Sequence, residues 1–389
     1  MQNSSHGRHR VEPAQIDFAV PDINEDDVDA VAAVLRSGWI TTGSECLQLE
    51  QDLASYLGID HIVTLSSCTA ALETAVAFLD LAPGARVGVP TWTFASTALC
   101  AVHQGLQPVL LDIDPDTLNL SPAALVRAIN EGLDAVIGVH FAGVALSQDI
   151  HTLCREAELP LVEDAAHALG TTDHRGLVAG QGTAGACFSF YATKNLTSGE
   201  GGAIATDNPD LAEFARSFRL HGLSKDAWAR YHPDAPSGYD LVMAGIKGNL
   251  PDALAALARS QFTRFPAMQA RRRVLVERYR QNLLGVDGLQ FVPGRADPGS
   301  ADHLMVALLP HGSDRPTVAK HMAAAGISTS VHFQPLHTFG WFERNAQVGP
   351  GGTPMADAVR DRAFSLPLHS ALRDADIDRV CEELRAALG

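Results

Sequence analysis

Between residues 61 and 206, short apolar runs alternate with amphipathic helical stretches, and this alternation leaves the chain few folds to choose from. Residues 61–65, 86–89, 109–112, 135–139, 161–162 and 184–191 read as strands. Helical periodicity over 66–79, 95–103, 122–130 and 150–157 separates them. Strands joined through helices run parallel, and the crossover helices cover both faces of the sheet. The expected class is therefore α/β, with a mostly parallel sheet flanked by helices. Ligands in such sheets bind beyond the carboxyl ends of the strands.

The flanking segments extend this plan. Helices at 24–35, with Asn24 as N-cap, and at 45–57 precede the first strand. The loop between them carries Trp39 and Thr41, and reads as packing and capping or as a ligand contact. After the strand that begins at Gly202 come a helix at 210–220, a long loop at 222–245, and a helix from Asp252 that breaks at Pro266 and resumes to 284. Strands near 289–292, 303–309 and 327–333, with helices near 317–325, 356–364 and 374–388, make a smaller α/β unit. The expected division is a disordered arm at 1–11, a large domain at 12–265 and a small C-terminal domain at 266–389.

Composition narrows the function. The net charge of −16 argues against nucleic acid or an anionic membrane as partner, though not against a small anion held by local amides. No apolar run is long enough to span a bilayer. The six cysteines form no CxxC pair and read as reduced core residues of a cytoplasmic protein. No metal-ligand spacing is present, so no metal is expected.

The strand at 184–191 runs into Thr193-Lys194-Asn195, followed by a glycine turn at 199–202. Alone, such a lysine is most often solvent-facing. At the end of a buried strand, however, desolvation lowers its pKa, and a neutral amine can attack a carbonyl to form a Schiff base. Asp164 ends a neighbouring strand, and Trp92 follows the strand at 86–89. Ser66-Ser67-Cys68-Thr69 opens a helix and reads equally as a cap or an anion site. Together these residues suit pyridoxal 5′-phosphate (PLP). Lysine would bind the aldehyde, aspartate the pyridine N–H⁺, and an aromatic the ring face; helix amides with Ser189 would hold the phosphate.

Ser189-Phe190-Tyr191-Ala192-Thr193-Lys194-Asn195, with Gly199-Glu200-Gly201-Gly202, resembles the signature of the DegT/DnrJ/EryC1/StrS family. These are PLP-dependent sugar aminotransferases of aspartate-aminotransferase fold type I. The likeness continues through Ser37-Gly38-Trp39-Ile40-Thr41-Thr42-Gly43, Pro90-Thr91-Trp92-Thr93-Phe94, Asp112-Ile113-Asp114, Glu163-Asp164-Ala165-Ala166-His167, His221-Gly222 and Thr329-Ser330-Val331-His332-Phe333, covering nearly the whole chain. It implies a large domain with a seven-stranded, mostly parallel sheet, and a smaller C-terminal α/β domain. It also implies that Lys194 carries PLP and shuttles protons as the cofactor cycles between PLP and pyridoxamine phosphate (PMP). Asp164 would pair with the ring nitrogen, Trp92 would stack, and His167 would lie near the ring hydroxyl. Ser189 and the Cys68-Thr69 backbone would hold the phosphate. The family usually has glycine where Cys68 stands.

The resemblance further implies a homodimer in which each subunit completes the other's site. The segment 245–252 is similar to the family's swapped loop, so Asn249 would reach the partner's PLP phosphate. Many relatives carry an aromatic where Ile246 or Gly248 stands. The stretch around Lys247, Asn249 and Asp252 looks like relatives that aminate C4. The implied reaction moves the amino group of L-glutamate to a dTDP- or UDP-linked 4-keto-6-deoxyglucose, giving a 4-amino-4,6-dideoxy sugar nucleotide for an antibiotic sugar or surface polysaccharide. Trp39, Thr41, Lys247 and His332 are candidate substrate contacts, with His332 reading equally as a strand-end histidine satisfied by backbone. Alternatives are a 3-keto sugar nucleotide, a keto-cyclitol such as scyllo-inosose, or a non-catalytic PLP-fold regulator. Family dehydratases replace the lysine with histidine, so Lys194 argues against dehydration.

Overall fold

In the computed structural model, which describes residues 15–224 and 239–389, every apolar run of the first half becomes a strand. The arm expected at 1–11 and most of the loop at 222–245 lie outside the described residues. The strands are β1 (His61–Leu65), β2 (Arg86–Pro90), β3 (Gln107–Leu111), β4 (Ala135–Val139) and β5 (Leu161–Asp164). A small hairpin of β6 (Thr172–Asp173) and β7 (Gly176–Leu177) precedes β8 (Ala186–Ser189) and β9 (Gly202–Thr206). The C-terminal part adds β10 (Gln290–Val292), β11 (Met305–Leu308), β12 (Gln347–Val348) and β13 (Ala363–Leu366).

The main sheet has the order β1-β9-β8-β5-β4-β2-β3-β12. It contains eight strands rather than the expected seven, because the two-residue β12 pairs with the edge strand β3. Only β9 runs against its neighbours, pairing antiparallel with β1 and β8. Strand β4 is buried at every position, as expected of a strand covered on both faces. The strand ends Leu65, Pro90, Val139, Asp164 and Ser189 consequently lie along one edge.

Local chemistry fixes the helices around this sheet. Asn24 caps Glu25–Ser37 through a reciprocal bond pair with Asp27. Ser67 caps Cys68–Phe78. The long helix expected from Asp252 is two helices, Asp252–Phe262 and Phe265–Asn282, with Pro266 in the first turn of the second.

The C-terminal part departs from expectation in two places. Residues 327–333 form only isolated bridges, Ile16 with Ile327 and Ser330 with Ser365, not a strand. The helix expected over 356–364 is Pro354–Val359, and Ala363–Leu366 is instead a strand paired with β11. Pairing against a buried strand outweighs the helical pattern of that stretch. A core of Leu275, Met305, Met322, Phe364, Ile377 and neighbours draws on Ile16 and otherwise on residues after 265. We propose on that basis that the domain boundary falls near Pro266. A second core joins the main sheet to a three-stranded antiparallel sheet of order β10-β11-β13, combining Trp92, Ile113 and Phe141 with Val306, Leu308 and Ala363. Among the described residues, no helix is long and apolar enough to cross a membrane.

Candidate active site

A cavity of about 480 Å³ opens beyond the carboxyl ends of β1, β2, β4, β5 and β8. Lys194 lines it. Its loop is pinned on both sides: the Lys194 amide donates to Tyr191 O (2.9 Å), and the Asn195 side chain donates to Ala301 O (2.8 Å) and Gln269 Oε1 (2.9 Å). Burial draws the Lys194 pKa down to about 8, against the opposing influence of Cys68 and Asp164. At that value about a tenth of the amine is neutral at pH 7, far more than for an ordinary lysine.

Asp164, the last residue of β5, lines the same cavity. Its Oδ2 accepts from the Thr97 hydroxyl (2.7 Å) and its Oδ1 from the Ala166 amide (3.1 Å). Burial pushes its carboxyl up, opposed first by the Thr97 bond. At another wall the helix Cys68–Phe78 begins. Ser67 Oγ accepts from the Ala70 amide (3.1 Å), while the amides of Cys68 and Thr69 precede the first intrahelical donor. Gly202 permits this approach: a Cβ there would lie 2.5 Å from the Cys68 nitrogen and 2.7 Å from Phe188 O. The Cys68 thiol donates to Cys187 O (3.2 Å) and sits 4.0 Å from Asp164 Oδ1. Burial holds that thiol well above its usual pKa, so it remains neutral. Ser189 also lines the cavity, with its Oγ accepting from the Tyr191 amide (3.3 Å).

Trp92 does not fit the stacking role expected of it. It is 0% exposed, its indole N–H donates to His332 O (3.2 Å), and it fills the core between the two sheets. No face of its ring is open. Phe94, two residues on, is 61% exposed and lines the cavity. Two aromatics spaced by two give no sign in sequence of which one the core will take.

Three histidines complete the walls. His167 Nδ1 accepts from the Ala142 amide (3.2 Å), which leaves the proton on Nε2. Burial, then the nearby charge of Lys194, holds His167 well below its ordinary pKa. His332 sits 3.0 Å from Ser365 Oγ, and burial draws it down to about 4. His303 was not expected. Its ring centroid is 4.3 Å from that of His167, and its Nδ1 faces Asn195 Oδ1 (2.9 Å). In sequence it is an ordinary histidine at the start of an apolar run. Thr97 was missed for a similar reason: it reads as a hydroxyl inside a helix.

Trp39, Thr41, Lys247 and Asn249 are brought together, but outside this cavity. Trp39 donates to Thr42 O (3.2 Å), Asn249 Nδ2 donates to Thr42 Oγ1 (2.7 Å), and Lys247 Nζ donates to Asn249 Oδ1. The Asp252 amide donates to Thr41 O (3.3 Å), and the Asp252 carboxylate accepts from Gly43 (2.7 Å), Cys46 (3.1 Å) and Glu45 (3.2 Å). Elsewhere, His151, Glu163 and Asp173 cluster at metal-ligand range. Arg175 already lies among them, 2.6 Å from both carboxylates.

The DegT/DnrJ/EryC1/StrS aminotransferase family model matches residues 21–385. The spore coat polysaccharide biosynthesis protein SpsC of Bacillus subtilis is 37% identical, over 95% of this chain and 96% of its own. Spr1654 from Streptococcus pneumoniae in its PLP-form superposes with a TM-score of 0.88 at 29% identity, over 96% and 99% of the two chains. DesI, solved in the presence of its TDP-sugar product, gives 0.82 at 28% identity, over 97% and 93%. With that likeness spanning nearly the whole chain, and a half-buried lysine sharing one cavity with a buried carboxylate, the chain belongs to the DegT/DnrJ/EryC1/StrS aminotransferase family and is a PLP-dependent sugar aminotransferase of fold type I.

Proposed function

We propose that the chain moves the amino group of L-glutamate to C4 of a dTDP- or UDP-linked 4-keto-6-deoxyglucose. The products would be 2-oxoglutarate and a 4-amino-4,6-dideoxy sugar nucleotide. The observation that carries this reading is the Lys194 amine sharing one cavity with the Asp164 carboxylate and the open amides of Cys68 and Thr69.

These residues fit PLP: a partly neutral amine for its aldehyde, a buried carboxylate for its ring N–H⁺, and a helix start for its phosphate. When bound, PLP supplies the electron sink that lets a carbon next to nitrogen give up a proton. Lys194 then takes the proton from the α-carbon of the amino donor. In the second half of the cycle it delivers one to the sugar carbon that receives nitrogen, so one base serves in both directions. Asp164 would hold the ring nitrogen, and Ser189 with the Cys68 and Thr69 amides would hold the phosphate. Phe94 offers the ring face first expected from Trp92. The Nε2–H of His167 would be available to the ring hydroxyl, and His332, which lines the same cavity, would be available to the substrate.

Trp39, Thr41, Lys247 and Asn249 lie outside their own chain's cavity, and we assign them to the site of a second subunit in a homodimer. DesI's TDP-sugar product supports a nucleotide-linked substrate, and SpsC's name supports a place in surface polysaccharide synthesis beside antibiotic sugars. We place the enzyme in the cytoplasm. The test is a panel of dTDP- and UDP-linked 3-keto and 4-keto sugars, with scyllo-inosose, each incubated with glutamate. Product structures are read by NMR. A 4-amino product is expected; a 3-amino sugar or an aminocyclitol instead overturns the substrate assignment.

A further inference from the structure

Asp164 is buried, and a carboxylate in such surroundings stays ionised only if donors reach it. One donor is the Ala166 amide on Oδ1. A second is the hydroxyl of Thr97 on Oδ2 (2.7 Å), while the Cys68 thiol lies 4.0 Å from Oδ1 and the charges of Lys194 and His140 act on the carboxyl from other elements. Thr97 is itself fully buried, and its oxygen lies 2.8 Å from that of Thr93, which is also buried. Because Thr97 gives its only proton to Asp164, Thr93 must be the donor to Thr97. The protons therefore point one way, from Thr93 to Thr97 to Asp164, and each bond polarises the next.

Backbone geometry locks this chain in place. The two threonines are four residues apart where the strand exit turns into the helix Ser96–His103, and the Thr97 amide bonds Phe94 O (3.1 Å). Phe94, the open aromatic of the cavity, sits between them. One short segment thus supplies a ring face and the support of the carboxylate.

We propose that Thr97, backed by Thr93, is the positioning residue that keeps Asp164 ionised and aimed into the cavity for a ring N–H⁺. This rests on the PLP reading above, in which Asp164 meets the ring nitrogen. Without the Thr97 hydroxyl, Oδ2 loses its donor, and the carboxyl takes a proton or turns. A protonated acid pairs poorly with a cationic ring nitrogen.

The test titrates purified apoprotein with PLP, following protein fluorescence and the visible band of the lysine-bound cofactor across pH. For Thr97→Val, which keeps shape and removes the hydroxyl, PLP affinity should fall about tenfold. The pH midpoint of the visible band should rise by about one unit, since an unprotonated ring withdraws fewer electrons from the lysine nitrogen. Thr97→Ser should restore both. Thr93→Val should give a smaller loss, about threefold, by removing only the second bond. Wild-type behaviour in Thr97→Val overturns the relay while leaving the cofactor reading intact. Failure of Thr97→Ser to rescue shows that packing, not the hydroxyl, matters, and also overturns it. If Thr97→Val does not fold, Thr93→Val carries the test, and unchanged binding there overturns the relay. No PLP binding by the wild type overturns both.

Discussion

The cavity around Lys194 and the loop cluster around Asp252 are built by opposite rules. In the cavity, polar groups stop at strand ends and face a common space: Asp164 from β5, Ser189 from β8, and the helix start after β1. In the loop cluster, polar groups spend their bonds on one another. Asp252 accepts from three amides at the start of the helix Ser44–Leu57, whose own N-cap, Gly43, has no side chain to do so. Thr42 joins Trp39 to Asn249. The first region is shaped for chemistry and keeps groups available. The second is tied to itself, and none of Trp39, Thr41, Lys247 and Asn249 lines the cavity around Lys194.

The largest test of this contrast removes the amine. Lys194→Ala should cut turnover by at least about 10⁴-fold, measured with glutamate and the preferred keto-sugar nucleotide. Mixing equal amounts of Lys194→Ala and Asn249→Ala protomers should recover about a quarter of wild-type activity, because half of the dimers then hold one intact site of two. No recovery from subunits shown to exchange breaks the assignment of the loop cluster to a neighbouring site.

Next in size are the two aromatics. Trp92→Ala should cost about 3–5 kcal/mol of stability in denaturant unfolding, as for other fully buried aromatics. Phe94→Ala should leave Tm nearly unchanged while weakening PLP binding about fivefold. The reverse pattern would return the stacking role to Trp92. Asp252→Ala should cost about 2 kcal/mol in denaturant unfolding by leaving the helix start at 44 without those acceptors. An unchanged midpoint would mean that the helix start finds other partners.

The subtlest readout is the pH dependence of PLP capture. The attacking form of Lys194 is the neutral amine, so capture should speed up with rising pH, about tenfold per unit below the pKa. It should level off above about 8, the value to which burial lowers that lysine. Stopped-flow absorbance checks this, and a profile still rising well above that point would mean an ordinary, hydrated lysine.

Lys194, Asp164, Ser189 and the Cys68-Thr69 helix start were legible in the residues themselves, and His167 through the family resemblance; all line one cavity. The first four are legible because strand ends, glycine turns and helix starts leave local marks in sequence. Thr97 and His303 were not, since each acts through a partner far along the chain, Asp164 and Asn195. The strand Ala363–Leu366 was misread for the same reason: its pairing partner is β11, more than fifty residues earlier.

Sequence alone determined the parallel sheet, the edge on which its strands end, and the lysine and carboxylate on that edge. These follow from periodicities that the backbone imposes over a few residues. Tertiary structure alone decided which aromatic is buried, which hydroxyl holds Asp164, and that Asn249 turns away from its own cavity. Those choices depend on filling space and pairing donors between distant segments, and no local pattern records them.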